Sequence, residues 1–147
     1  EERKMYDSIL SQTNPSIEDM FQYNWHAQYL HSLYKEHNNK ICSDHANLLF
    51  GRMSNIINSF KNPDTNYFAV SLEGLSSLYP LIENPETKKR LQNDMFHMFY
   101  KIQKRYKNGL YFFKNGTARI DITTHTINSY NNMIGELSES RRIIQTA

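Results

Sequence analysis

Apolar positions along this chain recur at intervals of three and four residues, the period of a helix rather than the two-residue alternation of a strand. After the turn signal Asn14-Pro15-Ser16, residues Met20, Tyr23, Ala27, Leu30 and Tyr34 form one stripe, with Phe21, Trp25 and Tyr29 on the opposite side. A helix so patterned is expected to be covered on two faces. Asn38-Asn39 ends it, Ser43 is a candidate N-cap, and Leu49, Met53, Ile56 and Phe60 carry the next stripe up to Lys61-Asn62-Pro63-Asp64. These two segments predict an antiparallel hairpin.

A second hairpin has similar spacing. Phe68 to Ile82 forms its first arm, Glu83-Asn84-Pro85 the turn, and Leu91, Met95, Met98 and Ile102 the stripe of a helix ending near Lys107-Asn108-Gly109. Pro85 suits the first helical turn and Gly109 a left-handed C-terminal cap. Leu110 to Ile120 then reads as two short arms around Asn115-Gly116, a strong β-hairpin signal. Asp121 is placed to cap a last helix whose stripe is Ile127, Tyr130, Ile134 and Leu137. The expected class is therefore all-α, built from antiparallel helical hairpins with one small β-hairpin near 110–120.

Residues 1–147 are expected to form one helical-hairpin domain. A closed ring of six helical hairpins needs about 300 residues, twice this length. Three readings follow: a piece or half of a larger toroid, an open bundle, or a protomer that completes its core by association.

Composition narrows the chemistry only modestly. The chain has 17 Lys and Arg against 15 Asp and Glu, 13% aromatic residues and one cysteine. Cys42 alone can form neither an intrachain disulfide nor a Cys-based zinc site. No run is long and apolar enough to span a membrane, and the compartment is left open. Up to and including Glu83 there are 6 basic and 10 acidic residues, and afterwards 11 and 5, so the two parts carry −4 and +6. The basic helix from Lys88 to Lys107 could attract nucleic acid, which ranks last because no nucleic-acid motif accompanies it.

Phosphate loops, nucleophile elbows and HExxH are absent, and neither cofactor nor metal is implied. Asp94 with His97, and Asp121 with His125, are spaced to share a helix face and could serve proton transfer. His26 and His31 read as boundary residues. Glu73, beside Gly74, is a candidate acid or base where a substrate could approach the backbone, the alternative being an exposed carboxylate on the polar side of its helix. Trp25 and Gln28 form a candidate sugar platform, with core packing of Trp25 as the alternative. Around the β-hairpin, Tyr111 is a candidate proton-transfer group, His125 an auxiliary, and Arg119 and Asp121 candidates to grip and orient a substrate carboxylate, the alternative being a salt-bridged corner between hairpin and helix. Asn115-Gly116-Thr117 is a glycosylation sequon if the protein meets that machinery.

The run Gly109-Leu110-Tyr111-Phe112-Phe113, then Ala118-Arg119-Ile120-Asp121, Thr124 and Ile127-Asn128, resembles the C-terminal motif of D-glucuronyl C5-epimerases. In that family a Gly/Ser-Leu-Tyr segment precedes Ala-Arg-aromatic-Asp-Tyr-His-Thr-Thr-His-Ile-Asn. The helix from Tyr67 to Tyr79 is similar to that family's helix ending in Gly-Leu-Tyr. About half the chain is covered. The resemblance implies an (α/α) toroid domain handling acidic polysaccharide, with tyrosines moving the proton at C5 of a uronate. Tyr111 matches one of them, the second falls at Ile122, and the family's histidines fall at Thr123 and Thr126, with His125 displaced. The expected partner is thus an acidic oligosaccharide or polysaccharide, on an epimerase- or lyase-like domain. The alternative is a non-catalytic helical interaction or dimerisation module, with a second copy or the rest of a toroid as partner.

Overall fold

The computed structural model describes residues 4, 7–8, 11, 14–37, 40–113, 115–118 and 120–146, with the backbone alone for 37, 40–41, 120–121 and 139–146. The chain is all-α. Among the described residues, five continuous helices, α1 (Asp19–His37), α2 (Lys40–Ser59), α3 (Thr65–Leu78), α4 (Pro85–Gln103) and α5 (Ile120–Thr146), are joined by a 3-10 turn at Tyr79–Leu81 and a two-strand antiparallel ladder, β1 (Tyr106–Lys107) with β2 (Leu110–Tyr111). No described helix is long and apolar enough to cross a membrane.

The organising element is α3. Of its 14 residues, only Asn66 and Tyr67 are not buried. It packs against α1, α4 and α5, and more lightly against α2. Such a helix needs side chains that tolerate neighbours on every side. Small residues supply this, because Ser71 Oγ donates to the Tyr67 carbonyl and Ser76 and Ser77 Oγ both donate to the Glu73 carbonyl. A hydroxyl bonded to its own helix enters a core without an unmet donor.

The α3–α4 hairpin is antiparallel. Lys88, in the first turns of α4, sits over the Tyr79 ring, while Arg105, just past its end, sits over Phe68 near the start of α3. Its turn forms as anticipated: Asn84 Oδ1 accepts from the Thr87 N–H at 2.9 Å, with Pro85 in the first turn.

Four local expectations change. Helix α4 stops at Gln103, and Asn108-Gly109 is not its cap. It is the two-residue turn of the β-hairpin, with φ of 51° and 83°, the positive pair that a type I′ turn requires. Asn115-Gly116 closes only an isolated bridge, Phe112 with Ala118. Helix α2 starts at Lys40, so Ser43 lies inside it rather than at its N-cap. Likewise α5 begins at Ile120, one residue before Asp121, which therefore is not its N-cap.

The inward face of α5 also differs. Ile127 and Ile134 are exposed, whereas Ile122, Thr126, Ser129 and Met133 are buried. Threonine and serine on that face let α5 lie close to α3, a choice that a search for large apolar residues passes over. On α1, Trp25 is 68% exposed and Tyr29 also faces solvent, so neither core packing of Trp25 nor cover on both faces occurs. Phe21 does pack, edge-on to Tyr67 at 5.3 Å.

Candidate functional site

Glu73 is not an exposed carboxylate. It lies on α3 between α1 and α5, and two donors meet at its Oε2: Asn24 Nδ2 from α1 at 3.0 Å and His125 Nδ1 from α5 at 3.0 Å. Its side chain is only 6% exposed, against 37% for His125. The relay continues outward along α1, where Gln28 Nε2 donates to Asn24 Oδ1 at 3.1 Å.

Close approach of α1 makes the relay possible, and Gly74 permits it. A Cβ at position 74 would stand 3.2 Å from the Asn24 Cα and 2.7 Å from the Met53 Cε. The glycine beside Glu73 thus admits a neighbouring helix, not a substrate.

Against a carboxylate oxygen, Nδ1 of His125 must be the donor, which fixes the imidazole tautomer and leaves Nε2 for outside chemistry. Among the described residues no other bond to the ring occurs. Such a histidine can take or give a proton at Nε2 while the buried carboxylate supports the cationic ring. Thr126, next along α5, is fully buried, and its hydroxyl has no partner among the described residues.

The structure therefore brings together Glu73, His125 and Gln28, through Asn24. The sequence reading missed Asn24, although its signal was available: an amide inside the Met20–Tyr23–Ala27 stripe, one turn before Gln28. Trp25 stands exposed on the same helix. Arg119 lies outside the described residues, as does the side chain of Asp121.

Tyr111 belongs to a different cluster. Buried at 7% exposure, its ring lies 5.0 Å from Tyr106 and 6.3 Å, edge-on, from Tyr130, which packs on Phe99 at 4.8 Å. Burial and the Tyr111 hydroxyl push the Tyr130 phenol far above its ordinary value, so it stays protonated. Gln103 Nε2 donates to its oxygen at 2.9 Å.

The remaining histidines are quieter. His31 faces Glu136 across 3.6 Å, and His26 is buried with its Nδ1 unpartnered among the described residues. Burial lowers the pKa of both, with Lys35 adding to the effect at His31. Among the described residues no three His, Cys, Asp or Glu side chains gather as a metal site. On the basic helix, Lys88, Arg90 and Lys104 lie over the rings of Tyr79, Phe50 and Tyr100, and so are partly engaged within the protein.

No protein-family model, curated protein sequence or solved structure matches the chain.

Proposed function

We propose that this chain is a carbohydrate-active domain that binds acidic, uronate-containing oligosaccharide and moves the proton at C5 of the uronate, as an epimerase or lyase does. The observation carrying this reading is the buried Glu73 carboxylate on Nδ1 of His125. The proton-transfer role passes from Tyr111, whose phenol is packed among rings, to His125. Glu73 becomes a positioning residue, and Asn24 with Gln28 holds Glu73 in turn. The substrate class comes from the resemblance around residues 109–128, in which Arg119 and Asp121 would meet the uronate carboxylate. Exposed Trp25 offers an apolar face to a sugar ring.

In the proposed step, Nε2 of neutral His125 takes the C5 proton and the C–H electron pair moves onto the adjacent carboxylate. Return of a proton from water to the opposite face at C5 gives the epimer, and His125 gives up its proton to solvent. Loss of the 4-O-linked sugar, its oxygen taking a proton from water, instead gives an unsaturated uronate, the lyase outcome. Both begin with C5–H cleavage and are read by proton NMR in D2O on a glucuronate–glucosamine oligosaccharide, the epimerase as deuterium entering C5 and the lyase as the new vinyl C4–H signal. The parent chain should exchange. His125→Ala should abolish exchange, and Glu73→Gln should lower kcat by roughly tenfold to a hundredfold with KM little changed, the pattern of lost transition-state support. A folded parent that neither binds nor exchanges this substrate overturns the proposal.

A second reading, the interaction module, is favoured by Phe96 and Tyr100 on α4 and Ile127 and Ile134 on α5, which are all exposed. It predicts a concentration-dependent change of mass in sedimentation and no saccharide response.

A further inference from the structure

Phe68 and Glu73 lie about 140° apart around α3, at 100° per residue, and beside Phe68 the structure has a concavity. The end of α2, the turn after it and α4 enclose a cleft of about 640 Å3, within the roughly 300–1,000 Å3 typical of small-molecule sites. Its composition is unusual for a gap between helices. Asn93, Asp94, His97 and Lys101 line it from α4, and Asn58 faces them from α2. Phe60 supplies an apolar surface, held edge-on to Phe68 with ring centres 5.8 Å apart.

The polar groups are arranged rather than scattered. Ser54 Oγ donates to Asp94 Oδ2 at 3.0 Å and holds that carboxylate in place. Oδ1 is left to accept. Burial raises the Asp94 pKa, and the Ser54 bond with the nearby Arg90 and His97 charges offsets this only in part. Lys101 also lines the cleft and adds an ammonium to it, its backbone standing seven residues, about 10 Å of helix rise, beyond Asp94. Among the described residues, Lys101 has no acidic partner and the Asn58 and Asn93 amides have no hydrogen bond.

We infer that this cleft binds a small hydroxyl-rich anion, the chemistry shared by a sugar acid and a sugar phosphate. Lys101 takes the anionic group at one end. Asp94 accepts from hydroxyls at the other, as carboxylates do for neighbouring O–H donors. Asn58 and Asn93 can serve as donor or acceptor between them, and Phe60 meets the C–H face of the ring. This site shares no residue with the Glu73–His125 relay and does not rest on the function proposed for it.

The test is an NMR titration of the isotope-labelled chain with glucuronate, glucose 6-phosphate and glucose. Saturable shifts should centre on Asn58, Asn93, His97 and Lys101 with one or both anions. Whichever anion binds tighter identifies carboxylate or phosphate as the natural group. Glucose should bind at least roughly tenfold more weakly, and Lys101→Ala should weaken the anion by about the same factor. Asp94→Asn should weaken it too while leaving the chain folded. His125→Ala should leave these titrations unchanged, so loss of C5 exchange and loss of cleft binding are separately visible. No saturable shift with either anion, or binding indifferent to both cleft variants, overturns the site.

Discussion

Within little more than one turn of α5, two side chains enter opposite environments. His125 joins a relay of charge and amide around Glu73, while Tyr130 enters a cluster of rings with Phe99 and Tyr111. Both clusters contain residues that a sequence marks as chemically able, His125 and Glu73 in one and Tyr111 in the other. Neighbours separate them. A half-exposed imidazole on a buried carboxylate can exchange protons with a ligand, whereas a phenol enclosed by rings contributes area and shape. Candidate chemistry is thus a property of a residue's partners before it is a property of the residue.

The contrast is most forcefully broken by truncation in the ring cluster. Tyr130→Ala removes ring contacts from two partners and should cost about 3 kcal/mol in urea unfolding, close to the usual range for large aromatic deletions. Next comes Glu73→Gln, nearly isosteric, which should cost about 1–2 kcal/mol because hydrogen bonds to a charged group are the stronger kind. Tyr111→Phe, equally conservative in shape, should stay within about 1 kcal/mol. An equal response to the two conservative changes would erase the distinction between the clusters.

The smallest effect is in pH. His26 has its pKa lowered by burial, so the unfolded chain binds its proton more readily. Stability contributed by neutral His26 is complete above the unfolded value near 6.5 and is lost as pH falls below it. The slope cannot exceed about 1.4 kcal/mol per pH unit for one proton, and His26→Leu should remove it from unfolding curves between pH 7 and 5.

Much of the architecture was legible because Met20, Leu49, Leu91 and their periodic companions face the core wherever one side of a helix is solvated. The reading failed where burial is not one-sided. Glu73, Ser76 and Ser77 look like a polar face, yet serines bonded to their own helix and a carboxylate with two donors are all compatible with enclosure. It failed again on α5, where Thr126 and Ser129, not Ile127 and Ile134, face inward. Candidate site residues could be named singly, but the grouping of Glu73 with His125 spans 52 positions. Asn24, the partner joining them to Gln28, carries no catalytic signature in sequence.

The position of α3 in the chain has a consequence for biosynthesis. A protein emerges from the ribosome N-terminus first, so α1 to α4 can assemble on α3 before α5 exists. At that stage Glu73 can already bond Asn24, while the flank that α5 later covers is open to water and to other nascent chains. Of the five described helices, the one made last is the one that covers the most enclosed of them. Its docking completes the relay and closes that flank to other nascent chains.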